Sequence, residues 1–471
     1  MTDDASEIRR AERLFAAQRA AATPSGPSAE DRRRDLAALQ RLVVAEAEAI
    51  AAAIAADFGT RSAHETLLAE VFYVVEAAKY ARRHLGRWMR PRRVRVQPLL
   101  FPGSARVMHQ PKGVVGIIAP WNYPVQLTLM PLVDALAAGC RAIVKPSEQT
   151  PRTAALLRDL VNRIFPEDQV AVVTGGPEVS AAVAALPFDH LFFTGSAGTG
   201  RKVAAAAAGN LTPVTLELGG KSPAIVAEGY PIETAARSIA WTKLVNAGQT
   251  CIAPDYVLAP MSMVRPLAEA ILAAAATMYP GGAGDDDYAS IVSDGHVSRL
   301  ETLLRDAATD GATVLRADGN TVPREARKLA PTVVLDPPEG SALMREEIFG
   351  PILPIVGVAS LDEAIAFVNR RDAPLSLYVY ARNRATAEEV LSRTVSGGAT
   401  VNQALLHMAL RDAPFGGVGA SGIGAYHGRA GFLTFSHQRT VFRSRPRHPA
   451  QWLAPPYGRF HRRFLKWRLR G

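Results

Sequence analysis

Cysteine is scarce: of 471 residues, only Cys140 and Cys251 carry thiols. Two thiols exclude a disulfide scaffold and a cysteine-built zinc centre, and they fit a reducing cytoplasm. Long apolar runs are also missing, since none reaches the roughly 18 residues a membrane span needs. Met1 to Arg10 is acidic, then basic, with no apolar stretch behind it, and does not read as a secretory signal. Internal repeats are absent. Acids are missing from the C-terminal end. Residues 437–471 hold ten Lys and Arg and no Asp or Glu, the other 436 residues balance, and the whole net charge of +10 sits in this tail. The body is therefore no nucleic-acid binder, and any electrostatic partner concerns the tail alone.

What is present is apolar side chain, 48% of the residues against 21% charged, enough for a large buried core. The length fits two or three domains. Residues 1–90 read as helical, with Leu36, Leu39, Val43, Val44 and Ala47 at helical spacing, a break at 23–28, and Ser28 with Asp31 as a cap. Residues 91–110 read as a β-ribbon. Strands at 113–120, 141–146, 170–175, 190–194 and 214–218 then alternate with helices at 127–139, 154–164, 179–185 and 199–208. That alternation predicts a parallel sheet of βαβ units. It resumes after 222, with strands at 224–227, 257–259, 332–335, 352–358 and 376–380, as a second α/β domain. The acids of 281–287 fit no calcium loop, so a plain loop and no metal are expected.

Five short stretches carry residue types suited to chemistry. In Asn246-Ala247-Gly248-Gln249-Thr250-Cys251 a cysteine follows a glycine-containing break, where backbone N–H groups can stabilise a thiolate. A small buried hydrophobe is the plainer alternative, and Cys140 is read that way. Glu217-Leu218-Gly219-Gly220-Lys221 ends a strand with a carboxylate, either a general base of raised pKa or a surface glutamate. Phe193-Thr194-Gly195-Ser196-Ala197-Gly198 is a strand, a glycine turn and a helix start, suited to a phosphate or simply to a turn. Lys145-Pro146-Ser147-Glu148 offers ribose ligands, and its acid favours a free 2′-hydroxyl. Pro120-Trp121-Asn122-Tyr123-Pro124 presents a side-chain amide, an oxyanion donor if aimed at a reacting carbonyl.

In this order, and followed by Glu346-Glu347-Ile348-Phe349-Gly350-Pro351, these stretches resemble the aldehyde dehydrogenase superfamily over roughly residues 30–440. Pro414-Phe415-Gly416-Gly417-Val418-Gly419 with Tyr426-His427-Gly428 and Phe435-Ser436-His437 resembles its class 3-like branch. Phe58-Gly59, Glu65-Thr66-Leu67-Leu68-Ala69-Glu70 and Arg87-Trp88-Met89 resemble the bacterial coniferyl aldehyde dehydrogenases. The resemblance implies an α/β fold with a Rossmann-type NAD-binding domain (1–90 and 111–216), an α/β catalytic domain (217–410), a β-ribbon oligomerisation arm (91–110 and 411–440) that makes a homodimer, and a basic tail (441–471). It implies Cys251 as nucleophile, Asn122 as oxyanion donor, and Glu217 as the base that hydrolyses a thioester, hence acid formation rather than acyl transfer. It implies Lys145, Glu148, Gly195, Ser196, Trp121, Glu347 and Phe349 as ligands of NAD, with NADP tolerated.

The aldehyde is less defined. Tyr123, Met130, Leu406 and His407 are the expected channel residues, His407 having a plain reading as a packed loop histidine. An apolar, partly aromatic channel suits a phenylpropenal such as coniferyl aldehyde, and equally a medium- or long-chain aldehyde taken near a membrane. A catalytically silent binding protein on the same fold is the reading from another class. In the tail, Phe460, Phe464 and Trp467 share a helical face among basic residues. That face suits an anionic membrane surface, its own subunit or a dimer partner.

Overall fold

The computed structural model describes residues 3–317 and 322–470. One long helix near the N-terminus starts at a cap the sequence supplies. Ser28 accepts from the Asp31 N–H at 3.1 Å while the Asp31 carboxylate accepts from the Ser28 N–H at 3.2 Å. This reciprocal pair starts the helix Ala29–Ala45, which buries Leu36, Leu39 and Val43.

The first sheet has six strands in the order Gly422–Ile423, Val214–Glu217, His190–Thr194, Val114–Ile118, Arg141–Lys145 and Val170–Val172. All pairings are parallel except that of the short outer strand Gly422–Ile423. Register aligns Ile118 with Lys145 and Thr194 with Glu217, so these residues end at one edge of the sheet. Strand order reverses between Val114–Ile118 and His190–Thr194, which opens a crevice beyond their carboxyl ends. Helices Tyr73–Trp88 and Gln126–Ala138 cover one face over a core of Leu85, Trp88, Ile117, Leu132 and Phe192. Helix Asp4–Ala21 covers the other with Ala11 and Leu14.

The second sheet has seven strands in the order Thr313–Arg316, Thr332–Leu335, Ile352–Val358, Tyr256–Pro260, Pro223–Val226, Ser376–Tyr380 and Gly398–Val401. Only the first is antiparallel to its neighbour. The apolar helix Val264–Met278 lies on it, with Leu267, Ala268 and Ile271 buried. The alternation in the sequence is thus two α/β sheets. The short polar strands Thr313–Arg316 and Gly398–Val401 gave no signal, because edge strands with little burial lack an apolar run.

A third, antiparallel sheet joins Arg92–Val94, Ser104–Pro111 and Ser436–Arg443. Here the expected arm divides. Of 411–440, Gly422–Ile423 extends the first sheet and helix Gly428–Thr434 packs against Gln126–Ala138. Buried Tyr426, Phe432 and Phe435 draw this segment into the core. Only the stretch from Ser436 belongs to the ribbon, which continues to Arg443 into the region read as tail.

Candidate active site

Helix Ile232–Leu244 ends in a loop that turns the wrong way for L-residues. Asn246 (φ 51°, ψ 34°) and Ala247 (φ 49°, ψ 33°) are left-handed, and Gly248 has φ 79°. A Cβ on Gly248 would collide with the Gly350 carbonyl. Such residues cost about 1–2 kcal/mol each, so the surroundings must fix the loop. Gln249 does this from full burial. Its Nε2 donates to the carbonyls of Asn246 (2.9 Å) and Ser290 (3.0 Å), and its Oε1 accepts from the Val292 N–H (2.9 Å). Asn246 Nδ2 donates to the carbonyls of Asn122 (2.9 Å) and Gln249 (3.2 Å). The loop delivers Cys251 to the junction of two cavities, about 540 and 220 Å³, both of which it lines.

The smaller cavity gathers Trp121, Asn122, Gly195, Ser196, Glu217, Cys251, Glu347 and Phe349, drawn from both domains. Burial raises the Glu217 carboxyl well above the carboxylate range, and neither of its oxygens has a hydrogen-bond partner among the described residues. The Cys251 thiol is pushed up to about 12 by burial and by the Glu347 and Glu217 carboxylates, opposed by the backbone N–H groups of Cys251 and Ile252. Asn122 Nδ2 donates one hydrogen to the Gln249 carbonyl at 3.1 Å. An amide has a second to offer.

Glu347 and Phe349 are held by a clamp that the sequence reading missed. Lys221 Nζ donates to the carbonyls of Leu343 (2.9 Å) and Glu346 (2.8 Å) and pairs with Asp255, whose Oδ1 accepts from the Ile348 N–H at 3.1 Å. The lysine after the two glycines thereby ties one motif to the other. A Cβ on Gly219 would sit 2.5 Å from Glu347 Cδ, so the glycine leaves room for that carboxyl. Burial pushes the Glu347 carboxyl up to about 8. Trp121 meets Phe349 edge-on with centroids 5.4 Å apart, and His296 at 5.0 Å. His296 and Arg299 also line this cavity without belonging to any recognised stretch. Lys145 and Glu148 lie outside it at the neighbouring strand end, Nζ to Oε2 3.2 Å, with Lys145 buried and Glu148 exposed.

These residues suit a dinucleotide. Thr194 Oγ1 and Glu347 Oε1 belong to cavity-lining residues and are buried without a hydrogen-bond partner among the described residues. Helix Ala197–Ala208 begins at Ser196 in the same crevice, and its N-terminal N–H groups favour an anion. Lys145 with Glu148 supplies a donor and an acceptor of the kind ribose hydroxyls take.

The larger cavity is walled by Tyr73, Tyr123, Trp241, Tyr279, Phe415 and Tyr426, with Leu68, Leu127, Ile252 and Leu406. Two expected channel residues are elsewhere. Met130 is buried and lines an adjoining cavity of about 220 Å³ with Phe72, Tyr80 and Leu410, which shares Tyr73, Met408 and His427 with the larger one. Helix Gln126–Ala138 is buried all round, so its period could not say which face met the channel. The His407 ring hydrogen-bonds the hydroxyls of Ser376 and Thr400, each at 3.0 Å, and stacks on Phe415. It is a packed loop histidine, held by burial at about 4 and so neutral.

Residues 2–441 match the Aldehyde dehydrogenase family, and the chain belongs to it. It is 48% identical over 458 residues (96% of the chain, 95% of the relative) to a probable coniferyl aldehyde dehydrogenase of Pseudomonas aeruginosa. A substrate-bound structure of Staphylococcus aureus AldH superposes with TM-score 0.90 at 36% identity, each chain fully covered. An NAD-dependent aldehyde dehydrogenase from Sinorhizobium meliloti superposes with TM-score 0.86 at 29% identity, covering 96% of this chain and 89% of that one. The chain is an aldehyde dehydrogenase and an oxidoreductase.

Proposed function

We propose that the chain oxidises a phenylpropenal-type aldehyde, such as coniferyl aldehyde, to the carboxylic acid. The observation that carries this is Cys251 at the meeting of an aromatic-walled cavity and a dinucleotide-type cleft, with Glu217 unpaired beside it. Glu217, once ionised, takes the thiol proton. Cys251 Sγ bonds to the aldehyde carbon, and the oxygen gains charge against the Asn122 amide and the Cys251 N–H. Those donors act only as charge develops, which lowers the barrier selectively. A bound nicotinamide dinucleotide supplies the hydride acceptor. The acyl group remains on Cys251 as a thioester. Glu217, having passed the thiol proton on to solvent, takes a proton from water; the oxygen attacks the acyl carbon, the C–S bond breaks with that proton returned to the Cys251 sulfur, and the acid leaves. A base at this position favours hydrolysis over acyl transfer.

The larger cavity also holds polar groups. Ser62 Oγ donates to Asp287 Oδ1 at 2.6 Å, and Glu65 Oε1, which faces Arg61 Nε at 3.6 Å, has no hydrogen-bond partner among the described residues. A phenolic hydroxyl would satisfy an acceptor there. An alkanal would leave it bare, and sites built for a hydroxyl reject analogues that lack one. The test is the initial rate of NADH formation with coniferyl aldehyde and with decanal, for wild type and Cys251→Ala. A Cys251-dependent preference for coniferyl aldehyde supports the reading. A preference for decanal moves it to fatty aldehydes.

NAD is the preferred cofactor, because the Glu148 carboxylate beside Lys145 disfavours a 2′-phosphate. The side chain is exposed enough to swing aside, which leaves NADP usable. The ribbon strand Ser436–Arg443 lies at a sheet edge, and we assign it to a homodimer contact. The enzyme is cytoplasmic, with peripheral membrane contact through the helix Arg459–Arg468. No residue of that helix is buried, and Phe460 stacks on Phe464 within a basic segment. Equal sedimentation with anionic liposomes by the full chain and by a chain ending at Pro449 would remove the membrane contact.

A further inference from the structure

Beneath the nucleophile loop lies an ion pair that the chemistry above does not use. Arg61 and Glu70 have fully buried side chains, with Nη1 3.4 Å from Oε1. Each partner also grips the turn that carries Asn122. Arg61 Nη1 donates to the Asn122 carbonyl at 2.8 Å. Glu70 Oε2 accepts from the N–H groups of Val125 (2.7 Å) and Gln126 (2.9 Å), at the start of helix Gln126–Ala138. The Arg61 guanidinium lies over the rings of Tyr123 (4.8 Å) and Phe58 (5.1 Å). The turn is thus fixed at residues 122, 125 and 126 by one buried pair.

The Asn122 carbonyl is also the acceptor for Asn246 Nδ2 of the nucleophile loop, while Asn122 Nδ2 donates to Gln249 of that loop. Arg61 therefore acts on the one peptide that joins the amide to the nucleophile. As a stabilising device the pair is poor. Burying two charges costs several kcal/mol each, the separation is long, and among the described residues Arg61 Nε and Nη2 have no hydrogen-bond partner, Nε facing only the Glu65 carboxylate at 3.6 Å. Its return is geometric.

We propose that Arg61 and Glu70 are positioning residues that set the Asn122 amide against Cys251 for the attack step. The inference rests on the reading of Asn122 as oxyanion donor. A misplacement of about 1 Å at such a donor costs on the order of 10²-fold in rate.

The test uses the full-length enzyme with Arg61→Lys and Glu70→Gln, each in the wild-type and the Asn122→Ala background. Three quantities are read: the pre-steady-state NADH burst rate, dinucleotide affinity by fluorescence, and the melting temperature. The expected result is a burst rate lowered about 10- to 100-fold in the wild-type background, with dinucleotide affinity within twofold. In the Asn122→Ala background the same changes cost less than about threefold, because nothing is left to aim. An equal loss in both backgrounds, or a loss that follows dinucleotide affinity, makes the pair merely structural and overturns the proposal. So does a wild-type burst rate in both variants while Asn122→Ala is slow. If Asn122→Ala itself bursts at the wild-type rate, the oxyanion reading falls, and this inference with it. The two conservative variants are read separately, so a folding failure of one leaves the other decisive.

Discussion

Gly219→Ala probes the link between the two ligand-side motifs. The glycine φ is not in the left-handed region, so alanine adds no backbone strain. The new methyl would lie 2.5 Å from Glu347 Cδ, where carbon contacts need about 3.5 Å or more. The carboxylate must therefore retreat by about 1 Å. The Glu347 backbone cannot retreat with it, because Lys221 holds the Glu346 carbonyl and Asp255 holds the Ile348 N–H. The displacement is confined to a side chain that lines the cofactor cleft. On the order of 10²-fold in hydride transfer follows from such a shift, about 2.7 kcal/mol. Stopped-flow NADH bursts measure the rate, and quenching of Trp121 fluorescence measures dinucleotide affinity. The melting temperature should move by only a few degrees. Paired with Glu347→Ala, the substitution should cost almost nothing further, since no carboxylate remains to displace. A wild-type rate for Gly219→Ala, or the same loss with and without Glu347, would refute this reasoning.

Other outcomes follow from the same geometry. Gln249→Leu removes three buried hydrogen bonds and strands their partners, so it should cost about 3 kcal/mol or more in calorimetry. Lys221→Met leaves Asp255 buried with the Ile348 N–H and, as its only cation among the described residues, Lys243 at 3.9 Å, a loss of about 3–5 kcal/mol on urea titration. The pH dependence of Glu217→Gln has a definite sign. Below pH 4.5 Glu217 is protonated in both folded and unfolded chains. Above it the unfolded chain ionises while the buried carboxyl does not, so wild type loses stability with rising pH and Glu217→Gln does not share that loss. Thioester hydrolysis in wild type should accelerate with pH as Glu217 ionises, and the variant should lack this limb.

The local chemistry was legible because each key residue sits beside its own punctuation. Cys251 follows a glycine break, Glu217 ends a strand, and Asn122 lies between two prolines. The parallel sheets were legible from apolar runs separated by helices. What could not be read joins residues far apart in the chain. Gln249 looks like a linker residue until Ser290 and Val292 are seen on its amide. Arg61 and Glu70 look like ordinary helix-start and helix residues until Asn122 and Val125 are seen on them. Tyr426, Phe432 and Phe435 were grouped with a ribbon because nothing local distinguishes an apolar arm from an apolar return to the core. His407 shows the same limit, since it lies between the cavity-lining Leu406 and Met408 yet hydrogen-bonds Ser376 and Thr400.

Intact mass spectrometry of Glu217→Gln, quenched during turnover of coniferyl aldehyde with NAD⁺, tests the account most directly. The account predicts a mass gain of one acyl group, mapped to the Cys251 peptide and absent from the Glu217→Gln, Cys251→Ala double variant. An unmodified Cys251 in a variant that still turns over, or acyl mass on another residue, would contradict it.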